Sequence, residues 1–128
     1  MSKSKGSRTE RELVHLFFEA DWQPVRIAGS GSTPLPSPDL LVGSKGRVLA
    51  IECKSGKTIK YIQEDQIDEL IDFSSRFGSE AWVGLRFDRK DWLFLKPDQL
   101  SRTKSGVYAA SFNHAKENGL SFDDLIKG

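Results

Sequence analysis

The stretch that decides the fold is residues 38–54, PDLLVGSKGRVLAIECK. Two apolar runs are separated by residues 43–46 (GSKG), whose length and residue types are typical of a hairpin turn. With the turn centred on the last two of these residues, the register places Asp39 opposite Glu52. Directly opposed residues of antiparallel strands have Cβ atoms roughly 4.5–5.5 Å apart. The pattern therefore predicts two strands that bring two carboxylates together.

Alternation along the second strand adds a lysine to this pair. Glu52 and Lys54 are two residues apart, so their side chains lie on one face of the strand and converge with Asp39 at one end of the sheet. Carboxylate oxygens held close together suit Mg²⁺ or Mn²⁺, and a neighbouring lysine steadies developing negative charge or orients a metal-bound water. The set predicts metal-dependent phosphodiester hydrolysis. Taken singly, Glu52 and Lys54 also fit a solvated or ion-paired strand edge, and Pro38-Asp39 an ordinary turn.

The rest of the chain alternates helical and strand patterns. Apolar residues at three- and four-residue spacing predict a helix from Ser7, and the pair Ser7 and Glu10 has the spacing of a capping box, so Glu10 is also a candidate helix cap. We predict one α/β domain over residues 1–128, with a central mixed five-stranded sheet flanked by helices and a flexible basic arm at residues 1–6. The other predicted elements are a strand at 25–27, a helix at 63–76, strands at 81–87 and 92–95, a strand near 107–112 and a short helix from 121.

Composition limits the class of protein. The chain has 128 residues, 38% of them hydrophobic, which predicts one globular domain. No apolar run approaches the ~20 residues needed to span a bilayer, and no apolar segment follows the basic N-terminal residues, so we expect neither a membrane span nor a secretory signal. Cys53 is the only cysteine, which excludes an intrachain disulfide, nearly excludes a Cys/His zinc site with only two histidines, and favours a reducing, cytoplasmic location.

Charge is distributed unevenly along the chain. The net charge is only +1, from 19 Lys and Arg against 18 Asp and Glu, and by itself it predicts no partner. Basic residues concentrate in 3–11 and 45–60, however, and acidic residues in 64–72. A basic face suits a phosphate backbone, although an ordinary solvated surface with clustered charges is equally compatible with the pattern.

Short motifs connect these residues to a known family. Pro38-Asp39 followed by Glu52-Cys53-Lys54 resembles the Pro-Asp…(Asp/Glu)-x-Lys pattern of the restriction-endonuclease-like nuclease superfamily. The wider context resembles the archaeal-type Holliday junction resolvases from about Lys5 to Phe94. The motifs that carry this wider resemblance are Lys5-Gly6, Glu10-Arg11-Glu12-Leu13, Val25-Arg26-Ile27-Ala28-Gly29-Ser30 and Arg76-Phe77-Gly78.

The resemblance implies a role for each matching position. Glu10, Asp39 and Glu52 would bind Mg²⁺, with Mn²⁺ as a substitute, and Lys54 would lie beside the attacking water. DNA would be contacted by Lys5 in the basic arm, by Arg11 and Arg26 near the scissile phosphate, and by Ser30 on a loop that closes over the strand. Gln66, one turn into the acidic helix, is a possible further site residue.

The resemblance also implies the reaction and the assembly. A homodimer would nick opposed strands of a four-way DNA junction in recombination and repair, reading the shape of the branch more than its bases. The dimer interface would use apolar groups such as Phe73, Trp92, Phe94 or Leu95, and a sliding clamp is a possible partner that the sequence leaves undetermined. The alternatives are another restriction-like endonuclease, an inactive junction-binding module with the same fold, and an interaction domain without a nucleic-acid role.

Overall fold

A computed structural model describes residues 2–27 and 35–128, with side chains from residue 6 onward in the first range. The helices are α1 (Ser2–Glu19), α2 (Glu64–Phe77), α3 (Phe112–Asn118) and α4 (Phe122–Lys127), with a 3-10 turn at Pro97–Gln99. The strands are β1 (Gln23–Arg26), β2 (Leu40–Ser44), β3 (Arg47–Gly56), β4 (Lys60–Ile62), β5 (Glu80–Phe87), β6 (Leu93–Leu95), β7 (Ser101–Arg102), β8 (Tyr108–Ala110) and β9 (Leu120–Ser121).

The strands form a mixed sheet flanked by helices, as predicted. Its order is β1-β2-β3-β5-β6-β9, and β3 and β5 are its parallel pair while their neighbours run antiparallel. The sheet has six strands rather than the five predicted, and a separate three-stranded sheet, β4-β8-β7, was not predicted. Of these strands, β8 matches the one predicted near residues 107–112. The others, β4, β7 and β9, are only two or three residues long, which is too short for a periodic sequence signal.

The register of the β2–β3 hairpin is the one that the sequence predicts. Ser44 pairs with Arg47, and the pairing continues to Leu40 with Ile51. Asp39 comes just before this ladder, where its amide donates to the Ile51 carbonyl (3.1 Å) and its carbonyl accepts from the Ile27 amide (2.8 Å). The backbone of Asp39 is therefore held from both neighbouring strands.

Alternating side chains of the sheet divide the interior into two cores. The core on the α1 side contains Leu13 and Phe17 of the helix together with all three tryptophans, Trp22, Trp82 and Trp92. The core on the α2 side contains Ile67 and Leu70 of the helix with Ala50, Val83 and Leu85 of the central strands. The sheet is thus covered on both faces over β3 and β5, which explains their near-continuous apolar sequences.

The first helix begins earlier than predicted. α1 includes residues 2–6, so the segment expected to be a loose basic arm is helical. The predicted capping box does not form, because Ser7 and Glu10 lie inside this longer helix. Both side chains instead bind Arg26 of β1, whose Nη2 donates to Ser7 Oγ (3.0 Å) and whose Nε donates to Glu10 Oε1 (2.9 Å). A contact with a distant strand therefore replaces the local cap.

The C-terminal residues complete the α1-side core. Leu125 of α4 is fully buried, and Phe122 packs edge-on against Phe17 with ring centroids 4.9 Å apart. Arg47, at the start of β3, donates from Nη1 to the carbonyl of Leu125 (2.8 Å). This tail, which carries no motif of its own, is thus an integral part of the fold.

The structure corrects part of the predicted dimer interface. Trp92, Phe94 and Leu95 are at most 3% exposed, because Trp92 and Phe94 pack in the α1-side core and Leu95 in the α2-side core. Phe73 is different, since it is only partly buried on α2.

In the described ranges, no helix is both long and apolar enough to cross a membrane.

Candidate active site

Three carboxylates interact at the edge where α1 meets β2 and β3. Burial, followed by the negative charges of Asp39 and Glu10, raises the pKa of Glu52 to about 8, and Lys54 opposes this shift. Glu52 is half-buried on β3, two residues before Lys54 on the same face. An uncompensated cluster of this kind favours any group that brings positive charge.

Asp39 is held by the adjacent strand. Its Oδ2 accepts a short hydrogen bond from the Cys53 amide (2.7 Å). Burial nevertheless raises the pKa of Asp39, with a contribution from Glu10, against the lowering effects of that hydrogen bond, Lys54 and Arg26. The hairpin thus holds the Asp39 side chain through Oδ2, and Oδ1 is the other oxygen of this carboxylate.

Glu10 reaches the cluster from α1. Its Oε1 is paired with Arg26, as described above, and its side chain is 17% exposed. Because Glu10 contributes to the raised pKa of both Asp39 and Glu52, it belongs electrostatically to the same cluster. Arg26 orients the Glu10 carboxylate but does not cancel its effect on the pKa values of Asp39 and Glu52.

A small cleft opens beside Glu52. It has a volume of about 170 Å³ and is lined by Pro36, Ser37, Pro38, Glu52, Gln66, Glu69 and Leu70. Gln66, a possible site residue on the sequence, lines this cleft, and its Oε1 also accepts from the Gln63 amide (3.3 Å) at the start of α2. Glu69 was not predicted, although its position three residues after Gln66 on a helix was a signal that it shares that face.

The donor set fits a hard divalent cation. Carboxylate oxygens are the ligands that Mg²⁺ and Mn²⁺ prefer, and the mutual repulsion of Asp39, Glu52 and Glu10 is relieved by a cation between them. Within residues 2–27 and 35–128, no three His, Cys, Asp or Glu side chains are already arranged to hold an ion together. Two of the oxygens are engaged by Arg26 and by the Cys53 amide, so the side chains would have to adjust when an ion binds.

Comparison with known proteins assigns the chain. The sequence matches the family described as "Archaeal holliday junction resolvase (hjc)" over residues 1–128. The chain belongs to the archaeal Holliday junction resolvase family. It is 41% identical to the crossover junction endodeoxyribonuclease Hjc of Archaeoglobus fulgidus, over 95% of each chain. It is 34% identical to the Hjc of Sulfolobus acidocaldarius, over 98% of this chain and 89% of that one.

A solved structure supports the same assignment. The fold resembles that of Archaeoglobus fulgidus Hjc, described as a Holliday junction resolvase from an archaeal hyperthermophile, with a TM-score of 0.84. The alignment covers 94% of this chain and 98% of that one at 30% identity. The family, the fold class and the activity as a junction-resolving endonuclease, each predicted from the sequence, are confirmed.

The residues of this resolvase that were predicted to contact DNA are not part of the carboxylate cluster. Arg11 is exposed on α1, and Arg26 is occupied by Ser7 and Glu10. The side chain of Lys5 and the whole of Ser30 lie outside the described residues. Their contacts with DNA stay predictions.

Proposed function

We propose that this chain resolves four-way DNA junctions by hydrolysing phosphodiesters at the cluster of Glu10, Asp39, Glu52 and Lys54. The observation that carries the proposal is a cluster of three carboxylates beside one lysine, in which burial, together with the charges of Asp39 and Glu10, raises the pKa of Glu52 to about 8. The chain that holds this cluster belongs to the archaeal Holliday junction resolvase family. A structural cluster would be expected to pair such charges instead of accumulating them.

Each residue has a distinct task in this proposal. Glu10, Asp39 and Glu52 would hold Mg²⁺ or Mn²⁺, which when bound polarises the phosphate and lowers the pKa of water. Lys54, which already lowers the pKa of Asp39 and Glu52, would stabilise negative charge that develops on the phosphate. Arg26 would keep Glu10 oriented toward the cluster.

Resolution of a junction also requires a second active site. Two opposed strands are cut, and we propose that a homodimer supplies one such cluster for each strand. Exposed apolar groups on the α2 side support this assembly, because Phe77 is 54% exposed and stacks on Phe73 with ring centroids 5.2 Å apart. Together with Leu35, these rings line a groove of about 570 Å³. Since the substrate is DNA, the enzyme would act in the compartment that holds the chromosome.

Cleavage of a synthetic junction tests the chemistry. In Mg²⁺ the wild type should cut a four-way junction and leave a linear duplex of the same sequence intact. Asp39→Asn and Glu52→Gln should each lose on the order of 10³-fold in rate, because metal-ion charge stabilisation is worth several kcal/mol.

Binding and a distant carboxylate provide the controls. Both variants should still bind the junction in a chelator, since phosphate contacts position the DNA independently of the chemistry. Glu80→Gln, in a carboxylate that is paired with Arg47 (2.9 Å), should keep its activity per folded molecule. Retained cleavage in both site variants would remove the proposed centre, and equal cutting of the linear duplex would indicate a general nuclease.

A further inference from the structure

The apolar groove and the active-site cleft share a wall. The groove is lined by Leu35, Pro36, Ser37, Glu69, Asp72, Phe73, Arg76 and Phe77. Pro36, Ser37 and Glu69 also line the cleft that contains Glu52. Anything that fills the groove therefore contacts the segment that forms one side of the active site.

The shared segment, residues 35–38, leads directly into Asp39. Its first three residues are exposed in the single chain, whereas Pro38 is buried and precedes Asp39. Proline fixes φ near −65° and restricts the residue before it, so Pro36 and Pro38 leave few soft torsions in this segment. A displacement imposed on its exposed part is thus directed at Asp39, whose backbone is also held by hydrogen bonds with Ile27 and Ile51.

The charges around the groove fit a second copy of this chain. Asp72 and Arg76 lie one turn apart on α2, beside the stacked rings of Phe73 and Phe77. In a two-fold contact the same surface meets itself. If the α2 helices of the two copies run antiparallel, each Arg76 lies opposite an acidic residue of the other copy, and the rings fill the groove. The surface is then complementary to itself in both charge and polarity.

We infer that the second copy, seated in this groove, packs against residues 35–37 and positions Asp39 relative to Glu52, so that the cluster binds a divalent ion tightly only in the dimer. The inference rests on the proposed function, which supplies the dimer and the metal site. It adds that one copy completes the metal site of the other through a stiff segment, without donating a ligand. Residues 35–37 are then positioning residues, although none of them touches the reacting phosphate.

Two exposed phenylalanines provide a matched pair of variants. Phe77 is 54% exposed in the groove, and Phe18 is 63% exposed on α1. Phe77→Glu should be monomeric by light scattering and should bind Mn²⁺ about tenfold more weakly in calorimetry without DNA, the scale expected when support around ligands is lost. Phe18→Glu should match the wild type in both measurements.

The outcomes distinguish failure of this inference from failure of the proposed function on which it rests. A monomeric Phe77→Glu with wild-type Mn²⁺ affinity would overturn the inference and leave the nuclease and its dimer standing. A Phe77→Glu protein that remains dimeric would reject the groove as the dimer face, and with it the inference. A wild type that binds no Mn²⁺ would reject the metal site itself.

A pair of charge-reversal variants keeps the inference testable if Phe77→Glu does not fold. Arg76→Asp changes only an exposed side chain and should weaken both the dimer and Mn²⁺ binding, because like charges then face each other across the two-fold axis. Combining it with Asp72→Arg should restore both properties. Restoration of the dimer without restoration of Mn²⁺ affinity would contradict the inference.

A variant in the segment tests the transmission step. Pro36→Gly removes the fixed φ without touching α2, so the dimer should persist while Mn²⁺ affinity falls. The double variant Pro36→Gly/Phe77→Glu should bind Mn²⁺ no more weakly than the weaker single variant, because both changes interrupt the same route. Additive losses would show that the segment and the groove act separately.

Discussion

Two carboxylates on the neighbouring parallel strands β3 and β5 have opposite environments. At the start of β5, Glu80 accepts two hydrogen bonds from Arg47 (2.9 Å each) and one from the Trp82 indole (3.0 Å), and these bonds lower its pKa. Further along β3, Glu52 is buried near two other carboxylates, and its pKa rises to about 8.

The difference shows which end of the sheet stabilises the fold and which is reserved for chemistry. Arg47 also stacks over Trp22 (5.5 Å) and binds the Leu125 carbonyl, so its charge is used entirely within the protein. The cluster at Glu52 has Lys54 as its nearby cation on β3, and its remaining negative charge is available to a ligand. We therefore expect the first end to contribute more to stability than the second, and the second end to gain stability when a cation binds.

Removal of Arg47 should produce the largest loss of stability. Arg47→Ala breaks the pair with Glu80, the bond to the Leu125 carbonyl and the contact with Trp22, and should lower the free energy of unfolding by about 3 kcal/mol. Urea unfolding measures the change. Junction cleavage per folded molecule should be unaffected, and a loss of activity without a loss of stability would break the division between the two ends.

Divalent cations should stabilise the wild type through the other end. At a concentration of Mn²⁺ one hundred times the Kd, the free energy of unfolding should increase by about 2.7 kcal/mol. Thermal unfolding with and without Mn²⁺ measures the gain. Asp39→Asn should show little of it and Glu80→Gln all of it, and equal gains in these two variants would place the ion elsewhere.

Neutralising Glu52 should stabilise the metal-free protein at high pH. An unfolded glutamate titrates near 4.5, whereas Glu52 in the folded chain keeps its proton to about pH 8. Between these values the folded state binds more protons than the unfolded state, so stability falls as the pH rises. Glu52→Gln removes this loss.

The stability of Glu52→Gln relative to the wild type should therefore increase as the pH rises. In a chelator at pH 8, Glu52→Gln should be more stable than the wild type by on the order of 2 kcal/mol, and near pH 4.5 the two should be alike. Urea unfolding at both pH values tests this. A variant that is less stable at pH 8 would show that Glu52 is a satisfied structural residue.

The smallest effect should come from Gln66. Gln66→Ala removes the bond to the Gln63 amide and should cost less than about 1 kcal/mol, as expected for a helix cap. Its nicking rate on a four-way junction should stay within about twofold of wild type if the side chain serves the helix and not the phosphate. A large fall in rate at unchanged stability would move Gln66 into the active site.

The sequence predicted the hairpin that carries the candidate site because local rules determine its register. Hairpin length sets the register from Ser44 and Arg47 inward, and strand alternation puts Glu52 and Lys54 on one face. The pairing of Arg26 with Glu10 was not predictable, since it joins residues of different elements and replaces a capping box that the sequence favoured locally.

Other errors arose where three-dimensional contacts override local pattern. Trp92 and Phe94 were candidate interface residues on the sequence, but both are buried in the α1-side core, which α1 and the C-terminal residues complete. No local pattern marks residues 36 and 37 as part of a wall between the groove and the cleft. Its importance depends on α2, which comes near it only in the folded chain.

The location of the three tryptophans has a practical consequence. All of them lie in the α1-side core, so tryptophan fluorescence excited selectively reports the unfolding of that half, whereas far-ultraviolet circular dichroism averages over both. Superimposable denaturation curves from the two probes would mean that the layers on either side of the sheet melt as one cooperative unit. Curves that separate would expose a partly melted species whose order of disassembly can be read from the spectroscopic signal that changes first.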